Sequence, residues 1–171
     1  LWNQSPLLTP GEYRRGENRV QDDVGNRIFS TPASGDVPEL MRQLGAWLTT
    51  TAGQHAPPVA AALAHLEFVA IHPFNDGNGR TARALFYRSM LHEGYWLTQY
   101  LSISSILKKA PAKYAKSYLY SETDDNDITY FVIYQLQVIK RAIDSLHDYL
   151  RRKIEETRDI EVLISGSPHL N

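Results

Sequence analysis

Ile71-His72-Pro73-Phe74-Asn75-Asp76-Gly77-Asn78-Gly79-Arg80-Thr81-Ala82-Arg83 is the stretch from which the rest of the 171-residue chain can be read. It sets a titratable base, a carboxylate, glycines, asparagines and arginines between two patterns that read as helices. Upstream, the alanine-rich run from Pro58 to Ile71 carries Leu63, Leu66, Phe68, Val69 and Ile71 as its apolar side chains. Downstream, Thr81 to Leu91 is equally helical by propensity and spacing. Pro73 disfavours the helical conformation at His72, so the first helix is expected to end there. Asp-Gly and Asn-Gly pairs often mark hairpins, but hairpins need flanking strands and neither flank reads as one. The reading is helix, tight loop, helix.

The loop's chemistry follows from that geometry. Gly77 and Gly79 allow backbone conformations in which successive N–H groups turn toward one point. That point lies at a helix amino terminus, a natural anion site. Arg80 falls in the first helical turn, where a cation opposes the helix dipole, and Arg83 follows on the same face. Two cations there call for an anion with several oxygens, and a polyphosphate meets that demand. Asp76 would repel a phosphate unless a divalent metal joined its carboxylate to phosphate oxygens. His72 has an ordinary pKa of about 6.5 and suits proton abstraction near neutrality; the helix carboxyl end is expected to favour its protonated form slightly. A base beside a phosphate cradle suggests a hydroxyl attacking phosphorus.

The stretch resembles the signature of the Fic family, His-x-Phe-x-(Asp/Glu)-Gly-Asn-Gly-Arg-x-x-Arg, and fills every specified position from 72 to 83. Most of the chain is similar to the Fic core, including Pro10-Gly11-Glu12-Tyr13-Arg14. The resemblance implies a mainly α fold, a Fic-type helical core over 1–164 with one β-hairpin flap at about 19–31, and a tail or linker at 165–171. It further implies that His72 deprotonates a target hydroxyl, that Asp76 binds Mg2+, and that Gly77, Asn78 and Gly79 hold phosphates. Arg80 and Arg83 would bind the outer phosphates of ATP, and Phe74 would anchor the loop in the core. The reaction implied is transfer of AMP from ATP to a Tyr, Thr or Ser hydroxyl of a target protein. Taken singly, each residue has a plainer reading: His72 ending a helix, Asp76 capping one, Phe74 in the core, Arg83 solvated. It is their joint spacing that favours the site.

Outside the signature the chain reads as one domain with a real core. Residues 1–17 are broken by Pro6, Pro10, Gly11 and Gly16. Residues 19–31 hold two short runs around Asp23-Val24-Gly25-Asn26, a hairpin pattern. In the Fic family the corresponding segment is a flap that holds the target, which makes Arg27, Ile28 and Phe29 the candidate flap residues. Asp36-Val37-Pro38-Glu39 predicts a helix with a capping aspartate and Glu39 three residues later, running to about Leu48. Gly94 ends the signature helix, and Tyr95 to Ser105 is a connector or the start of a short helix. Lys108 to Ser121 carries Tyr114, Tyr118 and Tyr120. The resemblance puts the adenine pocket in this region with Tyr114 as first choice, against a reading of Tyr114 as a core ring with its hydroxyl at the surface. Asp124 to Asp127 reads as the cap and first turn of a long helix from about Ile128 to Arg158.

Composition narrows the field. A net charge of −1 leaves no basic footprint for nucleic acid. The absence of cysteine excludes disulfides and thiolate metal sites. No long uncharged apolar run suggests a membrane span or a signal peptide, and the expected location is cytoplasmic. Because the chain begins at Leu1, it is read as a piece of a longer protein, with a targeting segment or further domain left open. Expected partners are ATP, a target protein at the flap, and a second copy of the chain through self-modification or a homodimer.

Many Fic proteins carry an inhibitory helix, Ser/Thr-x-x-x-Glu-Gly/Asn, whose glutamate pairs with the second signature arginine. Ser89 to Gly94 matches by letter, but Glu93 would lie about 15 Å along the same helix from Arg83, so the match is read as accidental. That glutamate is expected outside this chain or from a partner. Other functions compete with AMP transfer: its reversal, another phosphate-linked donor, a nucleotide-binding regulatory module without turnover, and a metal-dependent helical phosphohydrolase using His147-Asp148.

Overall fold

A computed structural model of the chain describes residues 11–21, 27–125 and 127–165. Its described residues are mainly helical. After an irregular start, β1 (Arg19–Gln21) and β2 (Arg27–Ser30) pair antiparallel, with Arg19 opposite Ser30, Val20 opposite Phe29, and a register irregularity before Gln21. The turn expected at Asp23 to Asn26 lies outside the described residues. Among the described residues six α-helices follow: α1 (Val37–Thr50), α2 (Pro57–Ile71), α3 (Asn78–His92), α4 (Ile103–Lys109), α5 (Pro111–Thr123) and α6 (Thr129–Ser165).

α2 is the centre of the molecule. It packs most extensively against α3 and also touches α1 and α6. Its alanines explain this, because Ala60, Ala61, Ala62 and Ala64 are buried and let neighbouring helices approach closely. One apolar cluster joins Ala61 of α2 to Phe86 and Met90 of α3, Leu107 of α4, and Val138 and Ala142 of α6. A second joins Val37 and Leu44 of α1 to Phe68 and Ile71 of α2 and Ala82 of α3, with Phe74 packed against it. The signature loop therefore rests on the second cluster and is closed on its two sides by the ends of α2 and α3.

Several boundaries differ from the sequence reading. α3 begins at Asn78 rather than Thr81, because Gly77 takes φ +85° and makes the turn one residue ahead of the helix. The Asp36 side chain makes no capping bond, and Glu39 does not reach back to it. Glu39 instead accepts from Arg42 at 2.6 and 2.7 Å and from Gln43 at 2.9 Å, partners one turn ahead that outcompete the cap. The acidic run is divided: Asp124 ends α5, while Asp127 accepts the Thr129 amide at 2.9 Å at the start of α6. Ser165, expected in a tail, is the last residue of α6.

Candidate active site

α2 ends at His72 in the left-handed conformation, φ 50° and ψ 56°, which turns the chain out of the helix directly before Pro73. The His72 amide still closes the helix onto the Phe68 carbonyl at 3.1 Å. Its Nδ1 lies 3.2 Å from the Val69 carbonyl. A carbonyl can only accept, so Nδ1 carries the proton, and in the neutral ring Nε2 keeps its lone pair. Burial pushes the His72 pKa down, and the nearby Arg14 charge pushes the same way against the Val69 hydrogen bond. This corrects the expectation from the helix end: burial disfavours the imidazolium that the helix end was expected to favour.

The loop is closed by Asn78. Its buried amide side chain accepts from the Phe74 N–H at 2.9 Å and donates to the Phe74 carbonyl at 2.7 Å. Both polar atoms of the buried Asn78 side chain thus hold the loop closed. The Phe74 ring packs against Phe68 and Tyr13, with centroids 6.1 and 6.0 Å away. Next along the loop, Asp76 accepts from the Gly77 amide at 2.6 Å and from Arg80 Nη2 at 3.0 Å. Both partners of that ion pair are well exposed. Arg80 is thus held by the carboxylate expected to bind metal. The Arg83 guanidinium lies across Gly79, where an added Cβ would meet its Nη1 at 3.4 Å.

Arg14, part of the family-like run Pro10 to Arg14, has a role that the sequence does not announce. Its buried guanidinium donates to four carbonyls: His72 at 2.8 Å, Gly16 at 2.9 Å, Pro32 at 2.6 Å and Ile71 at 3.5 Å. Its own amide donates to the Pro73 carbonyl at 2.8 Å. Asn18 Nδ2 donates to the Phe74 carbonyl at 3.3 Å, and the Thr31 hydroxyl donates to the Asn18 carbonyl at 2.7 Å. The segments entering β1 and leaving β2 are thus fastened to the loop that carries His72. The side chains of Arg27, Ile28 and Phe29 lie outside what the structure describes.

Behind the loop, His65 is fully buried on α2. Its Nε2 is 2.8 Å from the Tyr114 hydroxyl, which is 2.8 Å from that of Tyr118. Burial pushes the His65 pKa down to about 4, with the Arg83 charge adding to the shift, and pushes Tyr114 up to about 12. The Tyr114 hydroxyl is therefore spent inside the protein, not at the surface, within a chain of neutral groups beside Arg83. His65 was not singled out from the sequence, because an alanine-rich helix gives no sign of which residue faces Tyr114.

Among the described residues, no group of three or more His, Cys, Asp or Glu side chains could hold a metal ion. No helix among them is long and apolar enough to cross a membrane. Glu93 stands at the far end of α3, where it pairs with His92 at 3.0 Å. It lines a cavity of about 500 Å³ between α1, α2 and α3, away from the signature loop.

The model of the Fic/DOC family matches residues 3–90. Curated relatives include the protein adenylyltransferase Fic of Drosophila mojavensis, 44% identical over 86 residues, which are 50% of this chain and 16% of that one. The protein of the same name from Drosophila grimshawi is 42% identical over 86 residues, covering 50% of this chain and 17% of its own. The chain thus spans about a sixth of the length of these relatives. Among solved structures, a Fic family protein from Desulfovibrio desulfuricans G20 superposes with a TM-score of 0.72 at 29% identity, over 81% of this chain and 41% of that one. A Fic domain containing signaling protein from Bacteroides thetaiotaomicron gives a TM-score of 0.57 at 27% identity, over 82% and 55%.

Proposed function

The chain belongs to the Fic/DOC family, and we propose that it is a protein AMP transferase, moving AMP from ATP to a Tyr, Thr or Ser hydroxyl. The observation that supports this reading is the bond from His72 Nδ1 to the Val69 carbonyl, which leaves the Nε2 lone pair free for a base's role in the loop that leads into α3. In this reading Nε2 takes the proton of the acceptor hydroxyl as its oxygen attacks the α-phosphorus. A bond forms from that oxygen to phosphorus, the bond to the outgoing pyrophosphate breaks, and the imidazolium later returns its proton to solvent.

The remaining residues position and neutralise. The first amides of α3, at Asn78, Gly79 and Arg80, have no carbonyl a turn earlier within the helix and are free to face phosphate oxygens. Arg83, lying over Gly79, and Arg80, once released from Asp76, offset the charge gathering on the leaving pyrophosphate. Asp76 suits magnesium, an ion held by one carboxylate together with substrate phosphates rather than by a protein cage. Bound there, Mg2+ would supply charge neutralisation for the phosphates. Tyr114 remains the proposed adenine contact through its ring, since its hydroxyl is engaged with His65 and Tyr118.

The target would be held at β2 (Arg27–Ser30), as an added strand running beside His72. The ties from Arg14 and Asn18 support that placement by fixing the base of the hairpin to the His72 loop. The test is incubation with magnesium and ATP labelled at the α- or at the γ-phosphate, with candidate targets supplied. Protein label from the α position alone is expected. Label from the γ position alone would make the reaction phosphoryl transfer and overturn the proposal.

A further inference from the structure

α6 outruns the body of the molecule. One face of its first half packs against α2, α4 and α5, but from His147 to Ser165 every residue is exposed. An isolated polar helix would present charge on all sides; this one does not. Ile143, Leu146, Leu150, Ile160 and Ile164 lie on one seam, spaced by threes and fours, with Lys153 and Thr157 filling the two middle steps. Leu150, Ile160 and Ile164 are 46%, 56% and 44% exposed. The opposite face is mostly charged, through Asp148, Arg151, Arg152, Glu155, Arg158 and Asp159, with Val162 its exposed apolar exception. A repeat of three and four with a charged outer face is the pattern of a helix that packs along another helix.

We propose that the occupant of this seam is the same helix of a second copy, lying antiparallel about a two-fold axis near Glu155. The register follows from the sequence. Centred there, Leu150 meets Ile160 of the second copy, Leu146 meets Ile164, and the two polar steps, Lys153 and Thr157, meet each other. Flanking the seam, His147 faces Glu161 of the second copy at both ends, and Tyr149 faces Leu163. One like-charge pair, Glu156 with its own copy, sits on the axis, where each Glu156 already accepts from Lys153 at 2.5 Å.

A parallel pair fares worse on the same residues. It stacks Lys153 on Lys153 within the seam and sets Glu156 against Glu161 of the second copy on both sides. The antiparallel register also fits the overhang. It overlaps the helices from about Leu146 to Ile164, where Leu146 is already half-buried against the body of its own copy. Overlap of roughly five turns buries on the order of 1,000 Å², enough for a weak, concentration-dependent dimer.

The chain lacks cysteine, so single cysteines report the geometry directly. Sedimentation over a range of concentrations is expected to show a dimer that Ile160→Lys abolishes, with helical content by circular dichroism unchanged. Mild oxidation is expected to cross-link Glu156→Cys but not Leu150→Cys, whose copies stand about 15 Å apart along the axis, beyond disulfide reach. A monomer at every concentration, or a dimer indifferent to Ile160→Lys, would overturn the proposal. So would cross-linking of Leu150→Cys, which requires parallel helices, or of neither cysteine.

Discussion

The Arg14 guanidinium donates to the backbone carbonyl of His72 at 2.8 Å, across 58 residues of chain. The bond reaches the residue proposed as the base through its backbone, not its ring. With the bonds to Ile71, Gly16 and Pro32, it makes Arg14 the joint between the end of α2 and the base of the hairpin.

Replacing Arg14 therefore acts on the fold and the site together. Arg14→Ala leaves buried carbonyls unpaired and is expected to cost roughly 2–4 kcal/mol of stability. Arg14→Lys keeps the charge but cannot serve four acceptors with one ammonium, and is expected to recover less than half of that loss. Chemical denaturation measures both. An Arg14→Lys protein as stable as the parent would show that the forked geometry is dispensable.

Two histidines give the protein a defined response to acid. His65 has a folded pKa of about 4, below the ordinary value near 6.5, so between these values the unfolded chain binds a proton that the folded chain refuses. Stability is present above pH 6.5, falls as pH drops through that window, and levels below about 4, for a total of roughly 3 kcal/mol. His65→Gln is expected to be less stable at neutrality but flatter across the window. For His72 the shift is also downward, so the acid limb of kcat/KM is expected below pH 6.5. A limb above that value would mean that the helix end, not burial, governs the ring.

The two glycines of the loop are expected to fail differently. Gly77 sits at φ +85°, so Gly77→Ala strains the backbone by about 1–2 kcal/mol and lowers stability. Gly79 has ordinary helical geometry, and alanine there gains roughly 0.5–1 kcal/mol in helix propensity. Its Cβ would stand 3.4 Å from Arg83 Nη1, on the face proposed to meet phosphate, so Gly79→Ala is expected to keep or raise its melting temperature and lose ATP affinity. Thermal melts and calorimetric titration with ATP separate the two. A Gly79→Ala protein with unchanged affinity would free Arg83 from the role proposed for it.

Much of the candidate site was legible because its chemistry is local. Pro73 stops α2, Gly77 turns the chain, and Asn78 to Arg83 open α3, all within one short stretch. What escaped the sequence was non-local or competitive. Arg14 satisfies carbonyls from three separate segments, and no spacing rule announces that. His65 meets Tyr114 across 49 residues, and nothing in an alanine-rich helix singles it out. Glu39 had both a capping role and two partners one turn ahead, and the partners won. The His72 pKa direction turned on burial, which a sequence does not display. The flap side chains, Arg27 to Phe29, lie outside the described residues.

The most direct measurement compares the chain with its His72→Ala variant, using ATP labelled at the α-phosphate and titrating ATP binding in parallel. The account predicts transfer to protein reduced by about 10²–10⁴-fold with ATP affinity held within about twofold, because the lost group moves a proton and holds no phosphate. Transfer that survives in His72→Ala, or that disappears together with ATP binding, would contradict the assignment of His72 as the base.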